Sequence, residues 1–245
     1  MTAWTILLPA FVMTALIAAS HVYLGLHVLA RGIIFVDLAL AQVVALGASV
    51  AILFGLDAHG FVAQGLGLAS GLVAAMAFAQ LRRLPDKVSR EVVIGCVYVV
   101  ATALSVVILS RSTTGMEELK SLLNGSILWV GWDQIAVVAI VFGSIGAVHL
   151  WFRGRFHGLS FGEDDVPAPV LWEFLFFASF AVIITLAVNI VGILMVFAFL
   201  IIPAFSASLL AGQFLARLLV GWLVGLIGGA AGLATAYLGD LPVGA

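Results

Sequence analysis

One carboxylate, Asp37, lies inside the run G-I-I-F-V-D-L-A-L-A-Q-V-V-A-L-G-A-S-V-A-I-L-F-G-L (32–56), which is otherwise apolar and long enough to cross a bilayer. An ionised side chain in hydrocarbon costs roughly 2.5 kcal/mol or more even on lenient insertion scales, so such a residue faces a cavity, a partner or a solute path. On a path, an oxygen ligand would hold a hard or borderline cation in transit. Off it, Asp37 would be neutralised by Arg31 or cap a neighbouring helix. The second polar group is Gln42. Counting helical rise from Arg31, Asp37 lies about 9 Å deep and Gln42 about 16 Å deep in a core of roughly 30 Å, so Gln42 is nearer the midplane. Five residues apart, the two side chains diverge by about 140° around a helix, whereas chelation from one helix needs i,i+3 or i,i+4 spacing. Asp37 is therefore expected to be a weak metal ligand near the inner exit, with no tight cage in this helix. Gln42 either lines the same path or makes an interhelical hydrogen bond that holds packing.

His21 and His27 flank the first inner turn, either as hydrogen-bonded anchors or as substrate contacts. Asp57 and His59 in the following outer turn either meet an arriving cation or belong to a solvated loop. Asn189, Gly192 and Pro203 fall in the stretch 174–216, which has no Asp, Glu, Lys or Arg and is twice the length of one crossing. That stretch must turn, and Asn189 to Gly192 carries the turn signal. Pro203 removes a backbone hydrogen bond, as in a kinked, gate-lining helix. Glu91, with Ser89 as N-cap, sits in the first turn of a helix, where the dipole favours an anion. No phosphate loop, nucleophile elbow or zinc-protease helix is present, so energy from ATP must come from another chain.

The elements that position these residues follow from composition. The chain is 64% hydrophobic and 9% charged with a mean hydropathy of +1.28, which marks an integral membrane protein. A net charge of −2 without a basic cluster leaves no footprint for nucleic acid. The single cysteine, Cys96, excludes a disulfide framework or thiolate cluster. The run from Trp4 to Leu26 has no basic residue before it and is too long for a signal-peptide core, so it is expected to remain as a span. Eight crossings are expected, near 4–26, 33–55, 61–81, 91–110, 132–152, 169–188, 190–212 and 217–238. With loop 82–90 inside, eight of the ten basic residues fall inside and only Arg111 and Lys120 outside, which puts both termini on the outer face. In the outer loop 113–125, Met116, Leu119, Leu122 and Leu123 share a helical face behind the box Thr114-x-x-Glu117, so a short helix on the membrane surface is expected. The inner loop 155–169 mixes aromatics, acids and turn residues and is the expected docking place for a soluble partner.

Four segments, H-V-L-A-R-G-I-I-F-V-D-L-A-L-A-Q-V-V-A-L-G (27–47), S-R-E-V-V-I-G-C-V-Y (89–98), E-E-L-K-S-L-L-N-G-S-I-L-W-V (117–130) and V-G-I-L-M-V-F-A-F-L-I-I-P-A-F-S-A (191–207), resemble in order the membrane subunit of the zinc/manganese/iron ABC uptake transporters. The resemblance implies an all-α permease, a single transmembrane domain over 1–245, in the cytoplasmic (inner) membrane of a bacterium. It implies a permease homodimer, a cytoplasmic ABC ATPase that binds ATP, an extracytoplasmic metal-binding protein, and a divalent metal ion as cargo, with no cofactor in this chain. By order along the chain its coupling helix falls on 156–168, with Phe156, Phe161, Gly162, Glu163 and Asp164 as the coupling residues. Many manganese and zinc members carry Asp-x-x-x-His in the second span. Here Gln42 holds the histidine position, the acid comes one residue early at Asp37, and Gly162 stands where an aspartate is expected. The segment D-L-P-V-G-A (240–245) is similar to the stretch that leads, in relatives, into another apolar segment. A secondary cation transporter or channel, with Asp37 carrying the ion and no ATPase, is the competing class.

Overall fold

The computed structural model describes residues 3–57, 60–85, 87–111, 117, 124–125, 127–162 and 166–239. His59, Thr114, Met116, Leu119, Lys120, Leu122, Leu123, Glu163, Asp164 and Asp165 lie outside the described residues, as do most of the expected surface helix and the segment 240–245. The described residues form helices and no strand. These are α1 (Ala3–Arg31), α2 (Val36–Leu53), α3 (Phe61–Gln80), α4 (Arg90–Leu109), α5 (Trp132–Trp151), α6 (Arg153–Phe161), α7 (Pro169–Leu210) and α8 (Phe214–Gly239), with short 3-10 turns at Leu81–Arg83 and Ile127–Trp129. Six of the helices are long and apolar enough to cross a membrane, and α2 is a shorter apolar helix. The 42 residues of α7 would extend about 63 Å as one helix, twice the hydrocarbon thickness. They are broken at Gly192, whose φ of 79° and ψ of 161° are a conformation open in practice only to glycine. With α7 counted as two arms, eight crossings result.

Two start signals act as the sequence reads. Ser89 Oγ accepts a hydrogen bond from Val92 N at 3.4 Å to open α4, and Gln134 Oε1 accepts from Gly131 N at 3.1 Å at the head of α5. One boundary differs. Residues 32–35 are not helical and α2 starts only at Val36, so a depth counted as continuous helix from Arg31 does not hold. Asp37 is the second residue of α2, and Gln42 lies about 9 Å along the helix from its first residue.

The chain divides into two compact units, each described by itself. The first comprises residues 1–30, 123–152 and 186–245. In it, α8 presents Gly221, Gly225 and Gly229 at four-residue spacing to Val22, Ala18 and Thr14 of α1. A Cβ at Gly225 would lie 3.3 Å from that of Ala18, and Phe199 and Pro203 of the second α7 arm close the same contact. Lipid supplies no hydrophobic drive for helix association, so small residues that permit close approach supply the packing. Trp222 Nε1 adds a hydrogen bond to Ala19 O at 3.1 Å. The second unit comprises residues 31–122 and 153–185. There α2 packs on both α3 and α4. Val44 sits over Gly67 and Gly71, Ala181 of α7 also meets Gly71, and Phe78 crosses Phe177 edge-on at 5.9 Å. Phe176 and Phe180 are fully buried beside them.

Candidate functional site

Asp37 is 1% exposed, and its Oδ1 has no hydrogen-bond partner among the described residues. Neutralisation by Arg31 is not what the structure shows. Arg31 Nη1 donates to Glu173 Oε2 at 2.7 Å, its Nε donates to Ser160 Oγ at 2.8 Å, and its guanidinium lies 4.0 Å from the Phe176 ring centroid. The charge of Asp37 is answered by position instead, because the first turn of α2 favours an anion. Such a buried, unmatched oxygen is a coordination site without a resident occupant.

The start of α2 has a second carboxylate that sequence reading assigned only to its own helix. Glu91 Oε1 accepts from Phe35 N at 2.9 Å, so a residue in the first turn of α4 also binds the backbone entering α2. The signal was present in the sequence as an acid inside an apolar span, yet its partner 56 residues away was not legible. Gln42 is buried and makes no side-chain hydrogen bond among the described residues, which removes the interhelical bond as the account of it.

In the first unit, His21 and His27 are both buried. His21 Nδ1 is 2.9 Å from Ile17 O and 3.1 Å from Ser20 Oγ, while its Nε2 is buried without a partner. A backbone carbonyl at Nδ1 fixes the tautomer that leaves a lone pair on Nε2, the form in which imidazole binds metals. His27 packs at 4.7 Å on the ring of Tyr23 and 5.5 Å from that of Phe214. Tyr23 also holds His149, through a 3.2 Å contact between its hydroxyl and Nδ1. Sequence reasoning missed His149, although an imidazole in an apolar span is itself a signal. Among the described residues no group of three or more His, Cys, Asp or Glu could hold a metal ion.

The break in α7 joins two of the expected residues. Asn189 is exposed three residues before Gly192. Gly125 lies against Val191 and Gly192, where any side chain would collide with backbone. Pro203 is buried, and its dihedrals remain helical, so the kink is at Gly192 alone.

The expected docking segment contains α6, which starts at Arg153, ahead of the segment, and ends at Phe161, where Gly162 N donates to Gly158 O at 3.0 Å. Phe156 is 1% exposed and crosses Trp172 at 5.6 Å and Phe176 at 6.4 Å, so it anchors α6 on α7 and faces no outside partner. Phe161 stacks on His157 at 4.5 Å at the free end. Arg153 and Arg155 are exposed.

Residues 3–245 match the model of the ABC 3 transport family. A protein of Haemophilus influenzae named as an iron transport system membrane protein is 24% identical over 238 residues, covering 96% of this chain and 82% of that protein. One of Chlamydia pneumoniae named as a metal transport system membrane protein is 24% identical over 155 residues, 62% of this chain and 53% of its own length. Among solved structures, PsaBC from Streptococcus pneumoniae in complex with Fab superposes with a TM-score of 0.79 at 19% identity, covering 99% of this chain and 86% of that one. An inward-facing conformation of a metal-chelate type ABC transporter gives 0.72 at 19% identity, with 97% and 80% covered. At that identity these two establish the shared fold.

Proposed function

The chain belongs to the ABC 3 transport family, and on that premise we propose that it is the permease subunit through which a divalent metal ion, zinc, manganese or iron, is imported across the cytoplasmic membrane of a bacterium. The observation that carries the reading is the family match along residues 3–245. Relatives named for iron and metal transport support the cargo class. The chain has no nucleotide-binding loop, so ATP is hydrolysed on a cytoplasmic ABC ATPase. That partner meets α6 and the acids after it, Glu163 and Asp164, while Phe156 transmits displacement of α6 to α7. An extracytoplasmic metal-binding protein delivers the ion to the outer face, and two permease copies complete the assembly. Asp37 offers the passing ion one oxygen, and His21 and His27 offer nitrogen. Contacts of that kind are weak by design, since a transported ion must leave each site it enters.

Reconstitution in liposomes with the ATPase and the binding protein tests this. Metal-stimulated ATP hydrolysis coupled to uptake is expected. Uptake by the permease alone, abolished in Asp37→Asn and indifferent to ATP, would instead establish a secondary carrier, the reading that the unmatched oxygen of Asp37 also suits.

A further inference from the structure

The second unit carries a concentration of positive charge that metal transport does not use. An open recess is lined by Arg31, Arg82 and Arg90, by one carboxylate, Glu173, and by apolar side chains that include Phe78 and Ile94. Both oxygens of Glu173 are taken, Oε2 by Arg31 at 2.7 Å and Oε1 by Arg82 at 3.2 Å. Three guanidiniums against one carboxylate leave an excess of two positive charges facing the recess.

Arg90 is the group left over. It is exposed and has no ion-pair partner among the described residues. It is also the first residue of α4, where the helix dipole disfavours a cation, so helix stability does not account for it. Arg31 ends α1, Arg82 follows α3 and Arg90 opens α4, which places the recess at headgroup level on the inner face. Toward the membrane interior, α3 exposes Met76 and α4 exposes Val92 and Val99, an apolar surface suited to acyl chains.

We propose that this recess binds the phosphate of an anionic phospholipid of the inner leaflet. Arg90 and Arg82 donate to its oxygens, and the apolar wall meets the carbons below. Basic pockets between transmembrane helices on the cytoplasmic side recognise anionic headgroups by this combination of charge and apolar surface. The inference rests on the membrane topology and not on the identity of the cargo.

The test uses the full-length chain in detergent, titrated separately with phosphatidylglycerol, phosphatidylcholine and inorganic phosphate, with bound lipid counted by native mass spectrometry. Phosphatidylglycerol is expected to be retained in preference to phosphatidylcholine, with no competition from millimolar phosphate. Arg90→Gln should weaken it about fivefold, the effect of one basic group near an anionic surface, without lowering Tm. Lys87→Gln, outside the recess lining, should not. Equal retention of the two lipids, phosphate binding as tight as phosphatidylglycerol, or unchanged lipid binding in Arg90→Gln overturns the proposal. So does an Arg90→Gln variant that loses only its association with the ATPase, which would assign the recess to that partner.

Discussion

Arg31 and Glu173 stand 142 residues apart in sequence, yet Nη1 of one lies 2.7 Å from Oε2 of the other, with both side chains 5% exposed. A buried pair of this kind contributes little over a well-packed apolar pair, but removing one partner strands the other charge. Glu173→Gln is therefore expected to cost about 3 kcal/mol, read as a lowered Tm in detergent. Adding Arg31→Met should recover part of the loss. If the double variant is no more stable than the single one, the charge left behind is not what destabilises it.

The four-residue glycine spacing on α8 separates two kinds of substitution. Gly229 faces Thr14 and Phe199, so Gly229→Val should force α8 off its neighbours and cost about 1–3 kcal/mol. Gly228 and Gly232 have nothing within 4 Å of an added Cβ. Alanine there should stabilise the helix by about 0.5–1 kcal/mol. Thermal unfolding of the three variants checks the assignment, and equal effects at all three would contradict it.

At the α7 break, Gly192→Ala imposes a backbone conformation that costs about 1–3 kcal/mol for a residue with a side chain. Gly125→Ala collides with the same backbone from the other side. Both are expected to lower transport in the reconstituted system, and a combined loss smaller than the sum would show that the two act on one contact. Wild-type uptake by Gly192→Ala would exclude the break from the transport cycle.

Asp37→Asn keeps shape and removes a buried charge that has no matching cation. Tm is expected to rise or stay unchanged, because an ionised group buried without a partner is costly to keep. Metal uptake is expected to fall at least tenfold. A variant that transports normally would take Asp37 out of the path, whatever its Tm.

The spans, their order and the break in α7 were legible because hydropathy and length settle them within one crossing thickness. Positive-inside parity was legible too, and the convergence of Arg31, Arg82 and Glu173 agrees with it, since a parity error would set these groups a bilayer apart. What failed was pairing. Arg31 was assigned a neighbour six residues away and instead chose Glu173, because residues 32–35 leave the helix and turn its side chain from Asp37. Phe156 read as a docking residue by its place in an inner loop and is a buried anchor by its place on α6. His149 and Glu91 went unassigned because their partners, Tyr23 and Phe35 N, lie on other elements, and spacing along one helix carries no information about them.

The break at Gly192 also bears on how the chain reaches its membrane. No charge lies between 174 and 216, so nothing near the outer turn marks which way either arm should thread. Orientation is left to Arg153 and Arg155 before the pair and Arg217 after it, all on one side. The two arms must then enter as a single hairpin during biosynthesis. The glycine that shapes the finished permease serves earlier as the apex around which the nascent chain folds back.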